Sequence, residues 1–550
     1  MKRFKLHAVA ASLVIFTALF IPVVVSSQEA GFTFPISNWS KDQFKPPESY
    51  WVVQRQFEKS WPLFIDEQEK QFSRIYGSGI KNSYDLFLRE QASTVGGTPV
   101  VQKKTLKRLL DLVSVPGKSL GGARGSQISS IRVVAFREGS LRVIPFDILE
   151  FTAAGRVVLP MGPEGNPKDS DGILGDNDRL IFMAMDAGHK VGKQYITENL
   201  KGVRDVQEIE LEYAPANEHG WVYCVSFAGI PPEKSPIHYA RHSSEAAIIY
   251  TPFYLVQSKP RLDKKGPAPT IEPATWAVAP SMGGIPQDIH EKLVLDIKLA
   301  YRIGATSENQ DSFNMRFRAW FNGDVIVYGR ATWKVKTPLG IGAPTIFADI
   351  MATPFYLLNQ NFLCTPFDPT VLMKSFHLII GEELNNRVLA ADSARGYRLI
   401  TADNRQGFSI DARMDPGEGD PVYKGLKRDL WHVLTGPWGS MCVFSGLNDY
   451  LSGHAAKFNL LWSDTPSNIG SYRYNLEVTD FKNRQEWMYL EWNVVPYFGS
   501  PGQYNSKNLD LVIKHHEKPL TPVVNGTTRI PVSPFILIPD IKNEKEFYRY

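Results

Sequence analysis

The feature that most narrows what this chain can fold into is a succession of short apolar runs broken by Gly, Pro and Asp, with no helical periodicity between them. Residues 206–213 alternate Val, Ile, Leu and Tyr with Gln, Glu and Glu, as a strand does with one face on a core and the other in water. Similar runs at 131–136, 141–151, 156–159, 179–185, 221–227 and 246–256 predict one antiparallel sandwich over 128–258. A second block, 288–519, repeats the pattern at 292–302, 375–381, 396–401, 439–444, 457–462, 471–478, 486–495 and 509–514. Within it, Asn322-Gly323 lies between two aromatic-rich arms, a strong hairpin signal. The expected fold class is therefore mainly β: two antiparallel sandwich-like domains behind a small helical N-terminal region. The Pro/Gly-rich stretch 259–287 reads as a linker between them.

The flanking segments differ. Residues 28–127 are mixed, with helices expected at 61–76, 84–93 and 103–113. The last places Leu106, Leu109, Leu110 and Val113 on one face with lysines and Arg108 around it, as a helix packed on a sheet would. Gly117-Lys118-Ser119 lacks the upstream glycine of a phosphate loop. Residues 520–550 are proline-rich and read as an extended tail draped over a domain.

Residues 1–27 carry a targeting pattern. Lys2, Arg3 and Lys5 precede an apolar run from Ala8 to Val25, and Ser26-Ser27 offers small residues for cleavage before Gln28. The run is also long enough to stay as an uncleaved anchor, but Pro22 near its end favours cleavage. The expectation is a periplasmic or extracellular protein with no stable membrane span once the leader is removed. A net charge of +4 over 550 residues gives no basis for nucleic-acid binding. Cys224, Cys364 and Cys442 are widely separated; buried thiols are expected, one disulfide with a spare cysteine being the alternative.

The chemistry concentrates at 166–178, Asn-Pro-Lys-Asp-Ser-Asp-Gly-Ile-Leu-Gly-Asp-Asn-Asp. Ca²⁺ takes carboxylate and carbonyl oxygens from a sharply turning chain, with glycine at the sixth position of a twelve-residue loop. With Gly172 there, Asp169, Asp171 and Asp178 fall at the third, fifth and twelfth positions. Ile173 then supplies a carbonyl, and Asp176 contributes through water. Pro167 leaves the first position without an oxygen. The loop resembles the degenerate, dockerin-like calcium loops of secreted proteins, which implies a structural Ca²⁺. The alternative is a solvated acidic turn.

Elsewhere the pattern is thinner. His238 and His242 would share a helix face as zinc sites need, but they lead into a strand. Glu382, Glu383, Asp415, Glu418 and Asp420 are candidates for paired-carboxyl glycosidase chemistry. Trp431, Trp438, Trp487 and Tyr489 are candidate stacking surfaces for a ligand. The reading that results is a non-catalytic binding or assembly protein for carbohydrate or another protein. A polysaccharide lyase or glycoside hydrolase is the alternative, and an envelope lipid-handling protein a further one.

Overall fold

The computed structural model describes residues 100–530 apart from residues 109 and 154 and a set of connecting segments between 244 and 505. The leader, the first two expected helices, Asp420, Trp487, Tyr489 and the tail beyond 530 lie outside the described residues. The chain is mainly β, in several antiparallel sheets.

The first block is layered. A six-stranded sheet runs in the order Thr528–Arg529, Thr521–Val524, Val203–Tyr213, Glu218–Phe227, Ile131–Arg137, Ser140–Val143. Against it lies a three-stranded sheet of Leu112–Pro116, Arg179–Met183 and Asp147–Leu149, with Arg179–Met183 in the centre. Alternation along that central strand is decisive. Leu180 and Phe182 pack with Ile131, Val133 and Val222 of the six-stranded sheet. Ile181 and Met183 face the other way, into a cluster with Tyr254, Val325 and Ile326. The three-stranded sheet is thus apolar on both faces, the condition for a middle layer.

The second block is a larger sandwich. A nine-stranded sheet runs Arg316–Asn322, Val327–Lys334, Thr345–Ala352, Leu357–Cys364, Leu490–Gly499, Gly439–Leu447, Asp429–Gly436, Arg398–Thr401, Phe408–Ser409. A five-stranded sheet runs Thr306–Gln310, His290–Tyr301, Met373–Leu384, Asn468–Thr479, Ala455–Thr465. Phe458, Leu460, Tyr472, Tyr474 and Leu476 share one core cluster with Val433 and Val443 of the larger sheet.

Several local expectations are corrected. Residues 103–113 are not a helix: after the short strand Val100–Gln102 the chain stays irregular and enters Leu112–Pro116. The Thr105 and Leu106 amides both donate to the His219 carbonyl, at 2.8 and 2.9 Å. Leu106 and Leu110 then serve different cores, which a single helical face could not. The 259–287 stretch is not a simple linker. Tyr254–Asp263 and Gly266–Val278 pair as a long antiparallel hairpin, and its prolines 267, 269 and 273 sit on the outermost strand of a four-stranded sheet, where a missing N–H costs least. Residues 509–514 are not a strand but the middle of helix Ser506–Glu517. Leu509, Val512, Ile513 and His516 are its buried side, a three–four spacing that belongs to a helix.

Two buried carboxylates join the blocks. The Asn322-Gly323 hairpin forms, but its strands close at Asn322 and Val327 around a four-residue loop. Asp147 Oδ1 accepts the Asp324 amide at 2.6 Å, and Oδ2 accepts Val325 and Ile326 at 2.9 Å each. A side chain at position 323 would collide with this carboxyl, its Cβ lying 2.2 Å from Asp147 Oδ2, so glycine is required. At the other end Asp111 holds Arg108 at 2.8 Å and His515 at 2.6 Å, tying the terminal helix to the first block. Burial alone would raise the Asp111 carboxyl; His515 and Arg108 bring it below its ordinary value.

Burial pushes Asp147 up to about 6, against the pull of its three amides. An acid raised in the folded state binds its proton more tightly there than in the unfolded chain. This group's contribution to stability is therefore greatest below about pH 4 and is lost as pH rises through about 6, by on the order of 3 kcal/mol. In Asp147→Asn that component is expected to vanish. Subtracting the variant's urea-unfolding free energies from those of the wild type between pH 4 and 7 measures it.

Candidate functional site

The acidic loop begins in a 3-10 turn, Pro167–Asp169, and reverses at Gly172, whose φ of +68° is left-handed. Leu174 anchors it, fully buried, and the Leu174 amide donates to Ser126 O at 3.0 Å. Glu150, which the sequence reading did not single out, closes the loop from outside. Its carboxylate accepts Ser170 Oγ at 2.7 Å and the amides of Asp171 and Gly172 at 3.1 and 3.0 Å. No sequence-local signal marks it, because it lies twenty residues upstream, after the strand Asp147–Leu149.

The five expected ligands do different things. Asp169 accepts Asn166 Nδ2 at 3.0 Å, and Asp171 Oδ1 accepts the Ile173 amide at 2.9 Å. Asp176 pairs with Arg124 at 3.0 Å, both exposed. Asp178 is only 3% exposed. It accepts the Phe151 amide at 2.9 Å and the Gly175 amide at 2.6 Å, and burial raises its carboxyl. Asp178 is thus an internal brace of the loop, while Asp169, Asp171, Asp176 and Ile173 stand at the surface. Among the described residues, no group of three or more His, Cys, Asp or Glu is set to hold a metal ion.

A second acidic cluster lies at 411–418, over the turn of the 455–479 hairpin. Asp464 is fully buried and accepts the amides of Asp411 at 2.8 Å, Ala412 at 3.2 Å and Gly470 at 3.1 Å. Glu418 Oε2 accepts the Asp415 amide at 2.7 Å. Burial raises Glu418 to about 7; the Asp415 amide opposes this, and Asp464 and Asp415 add to it. The contact between Asp415 and Glu418 is thus one turn's backbone amide on a buried carboxylate. Asp464, their partner, was hidden in an unremarkable strand. Glu382 and Glu383 are adjacent on Met373–Leu384, paired in register with Leu293 and Lys292 of the neighbouring strand.

Trp431 and Trp438 are corrected as stacking candidates. They are 8% and 2% exposed and belong to the main core, and the Arg405 guanidinium lies 4.8 Å over the Trp431 ring. His238 and His242 do not converge. His238 faces Asp324 at 2.8 Å, whereas His242 lies on Arg241–Ser243, edge-on to Trp320, and burial lowers it to about 4. Cys224 and Cys442 are buried free thiols, Cys224 pushed up to about 12 by burial.

The five-stranded sheet shows a polar face opposite its core side. Because Phe458, Leu460, Tyr474 and Leu476 turn to the main core, Asn459, Arg473, Asn475 and Glu477 take the opposite face, where Asn459 and Asn475 are buried and Arg473 and Glu477 half-buried. Across three strands His377 Nε2 donates to Asn475 Oδ1 at 2.6 Å, and Asn475 Nδ2 donates to Asn459 Oδ1 at 3.3 Å. Lys298 lies opposite His377, and His377 opposite Glu477. Amide, imidazole and both signs of charge are thereby set in adjacent rows. Among the described residues, no helix is long and apolar enough to cross a membrane.

No protein-family model and no curated protein matches the chain. Several solved structures overlap it partially. An alpha-mannosidase from Enterococcus faecalis is 8% identical with a TM-score of 0.36, covering 79% of this chain and 46% of its own. The heparan sulfate lyase HepC from Pedobacter heparinus is 12% identical with a TM-score of 0.24, over 56% and 44%. A putative aldose 1-epimerase from Klebsiella pneumoniae is 9% identical with a TM-score of 0.25, over 48% and 80%. The chain spans less than half the length of the mannosidase and of the lyase. At these scores the overlap assigns neither a fold family nor an activity.

Proposed function

We propose that this is an exported, extracytoplasmic binding or assembly protein whose ligand is a carbohydrate or another protein, with a structural Ca²⁺ in the 166–178 loop. The observation that carries the binding reading is the use made of the buried carboxylates. Asp111, Asp147, Asp178 and Asp464 spend their oxygens on backbone amides or buried cationic side chains that hold the fold together. The partly exposed row of Lys298, His377, Arg473 and Glu477 supports a carbohydrate as the ligand, since hydroxyl groups need donors and acceptors in close rows. Titration of a soluble oligosaccharide panel by calorimetry tests this. His377→Ala is expected to weaken the best binder about tenfold. If no oligosaccharide binds the wild type, or the variant binds equally, the carbohydrate reading falls.

The Ca²⁺ rests on exposed Asp169, Asp171 and Asp176 around a left-handed Gly172, with Glu150 able to supply the oxygen that Pro167 lacks. An ion bound only by the folded state adds about 2.7 kcal/mol at a hundredfold excess over Kd, and extracellular sites saturate in the millimolar range. Millimolar Ca²⁺ is expected to raise Tm, Mg²⁺ to leave it unchanged, and Asp171→Ala to remove the rise. Asp178→Ala strands two amides and is expected to cost on the order of 2–4 kcal/mol with or without calcium. Differential scanning calorimetry separates the two effects, and a wild-type Tm indifferent to Ca²⁺ would eliminate the ion site.

A glycoside hydrolase or polysaccharide lyase is the second reading, and Glu418 is the observation that favours it. A carboxyl titrating near neutrality beside other carboxylates suits a general acid. Hydrolysis or cleavage of the same oligosaccharides, lost in Glu418→Gln, would make it the first.

A further inference from the structure

The outer strand of the nine-stranded sheet, Arg316–Asn322, is covered by a short piece of the first block. Residues 160–165, Pro-Met-Gly-Pro-Glu-Gly, leave the core at Leu159 and return at Asn166. The base of this strap is pinned: the Leu159 amide donates to Asn166 Oδ1 at 2.7 Å, and the Asn166 amide donates to Leu159 O at 2.9 Å. At its tip Met161 and Trp320 exchange both backbone hydrogen bonds, at 3.1 and 2.9 Å, and the Glu164 amide donates to Arg318 O at 2.8 Å. These are the contacts of an added antiparallel strand, made over a few residues only.

The fit is close but incomplete. Gly162 passes so near the edge that a Cβ there would lie 2.7 Å from both Arg318 O and the Trp320 ring. Glu164 stands 3.5 Å from Arg318 Nη1, while Arg318 Nε and Trp320 Nε1 are buried donors that find no acceptor among the described residues. Residues 161–164 are themselves exposed, so no strap side chain is held in the core. An exposed strand edge is a template for another chain, and proteins use such edges to take up extended peptides.

We propose that this edge is a docking site for an extended acidic peptide, held closed in the free protein by residues 160–165. The strap itself states the chemistry: an apolar residue at Trp320, a small one under its ring, and a carboxylate at Arg318. A peptide with more carboxylates would satisfy the two donors that the strap leaves open. The inference rests on the protein-ligand part of the proposed function, and it needs neither the calcium loop nor the carbohydrate face.

Two full-length variants open the strap. Gly162→Val forces it from the edge, and replacing residues 160–165 by Gly-Gly shortens it without placing a side chain against Trp320. The probe is a synthetic peptide of residues 157–167, labelled with a fluorophore, beside the same peptide carrying Glu164→Lys. Both variants are expected to bind the first peptide at least about tenfold more tightly than the wild type, and to lose most of that gain with the second. Hydrogen exchange at the Trp320 amide should speed up in the variants and slow again on peptide addition. Variants that melt cooperatively yet bind no better than the wild type, or bind both peptides alike, overturn the proposal.

Discussion

A sheet that is apolar on both faces has to be covered twice, and the arrangement of the whole chain follows from that requirement. Leu112–Pro116, Asp147–Leu149 and Arg179–Met183 meet the six-stranded sheet through Val113, Ile148, Leu180 and Phe182. They meet the second block through Leu112, Leu149, Ile181 and Met183. At about 25 cal/mol per Å² of apolar surface, exposing either face would cost more than a domain of this kind can spare. The two β blocks therefore share a boundary layer, and one core cluster takes in Leu110, Ile181 and Tyr254 together with Val325, Val433 and Ile513.

Polar contacts then fix how the layers register. Asp147 lies far from the 324–326 loop in sequence, yet it satisfies three of that loop's amides, which otherwise would be buried without acceptors. Asp111 does the same service for the terminal helix, together with Arg108, whose guanidinium also donates to the carbonyls of His515 and Lys518. After that helix the chain crosses back, and Thr521–Val524 adds to the edge of Val203–Tyr213. Expected as a draped tail, this part of the C-terminal segment is a structural strand.

The acidic loop sits where these constraints meet. Asn166 closes the strap on one side and donates to Asp169 on the other, so the edge contact at Trp320 and the aspartate loop share a hinge residue. Asp178 stiffens the far end through the Phe151 and Gly175 amides. Of the surface carboxylates, Asp169 and Asp171 also bond within the loop, to Asn166 Nδ2 and the Ile173 amide.

By itself the sequence determined the β class, most strand positions, the hairpin around Asn322-Gly323 and the sharp turn at Gly172, because period-two alternation and turn chemistry are local. It left undecided whatever depends on contacts between distant residues. Periodicity could not say that Ile181 and Phe182 are both buried, since a doubly covered strand loses its polar face. Nor could it show that Trp431 and Trp438 are core, because burial is a property of neighbours rather than of the ring. The helix at Ser506–Glu517 did carry its three–four spacing, obscured by its brevity and by the strands around it. Glu150 on the acidic loop, Asp464 beside Glu418 and the strap on Trp320 were decided only by tertiary structure, since only folding brings those backbone donors and carboxylates within hydrogen-bond reach.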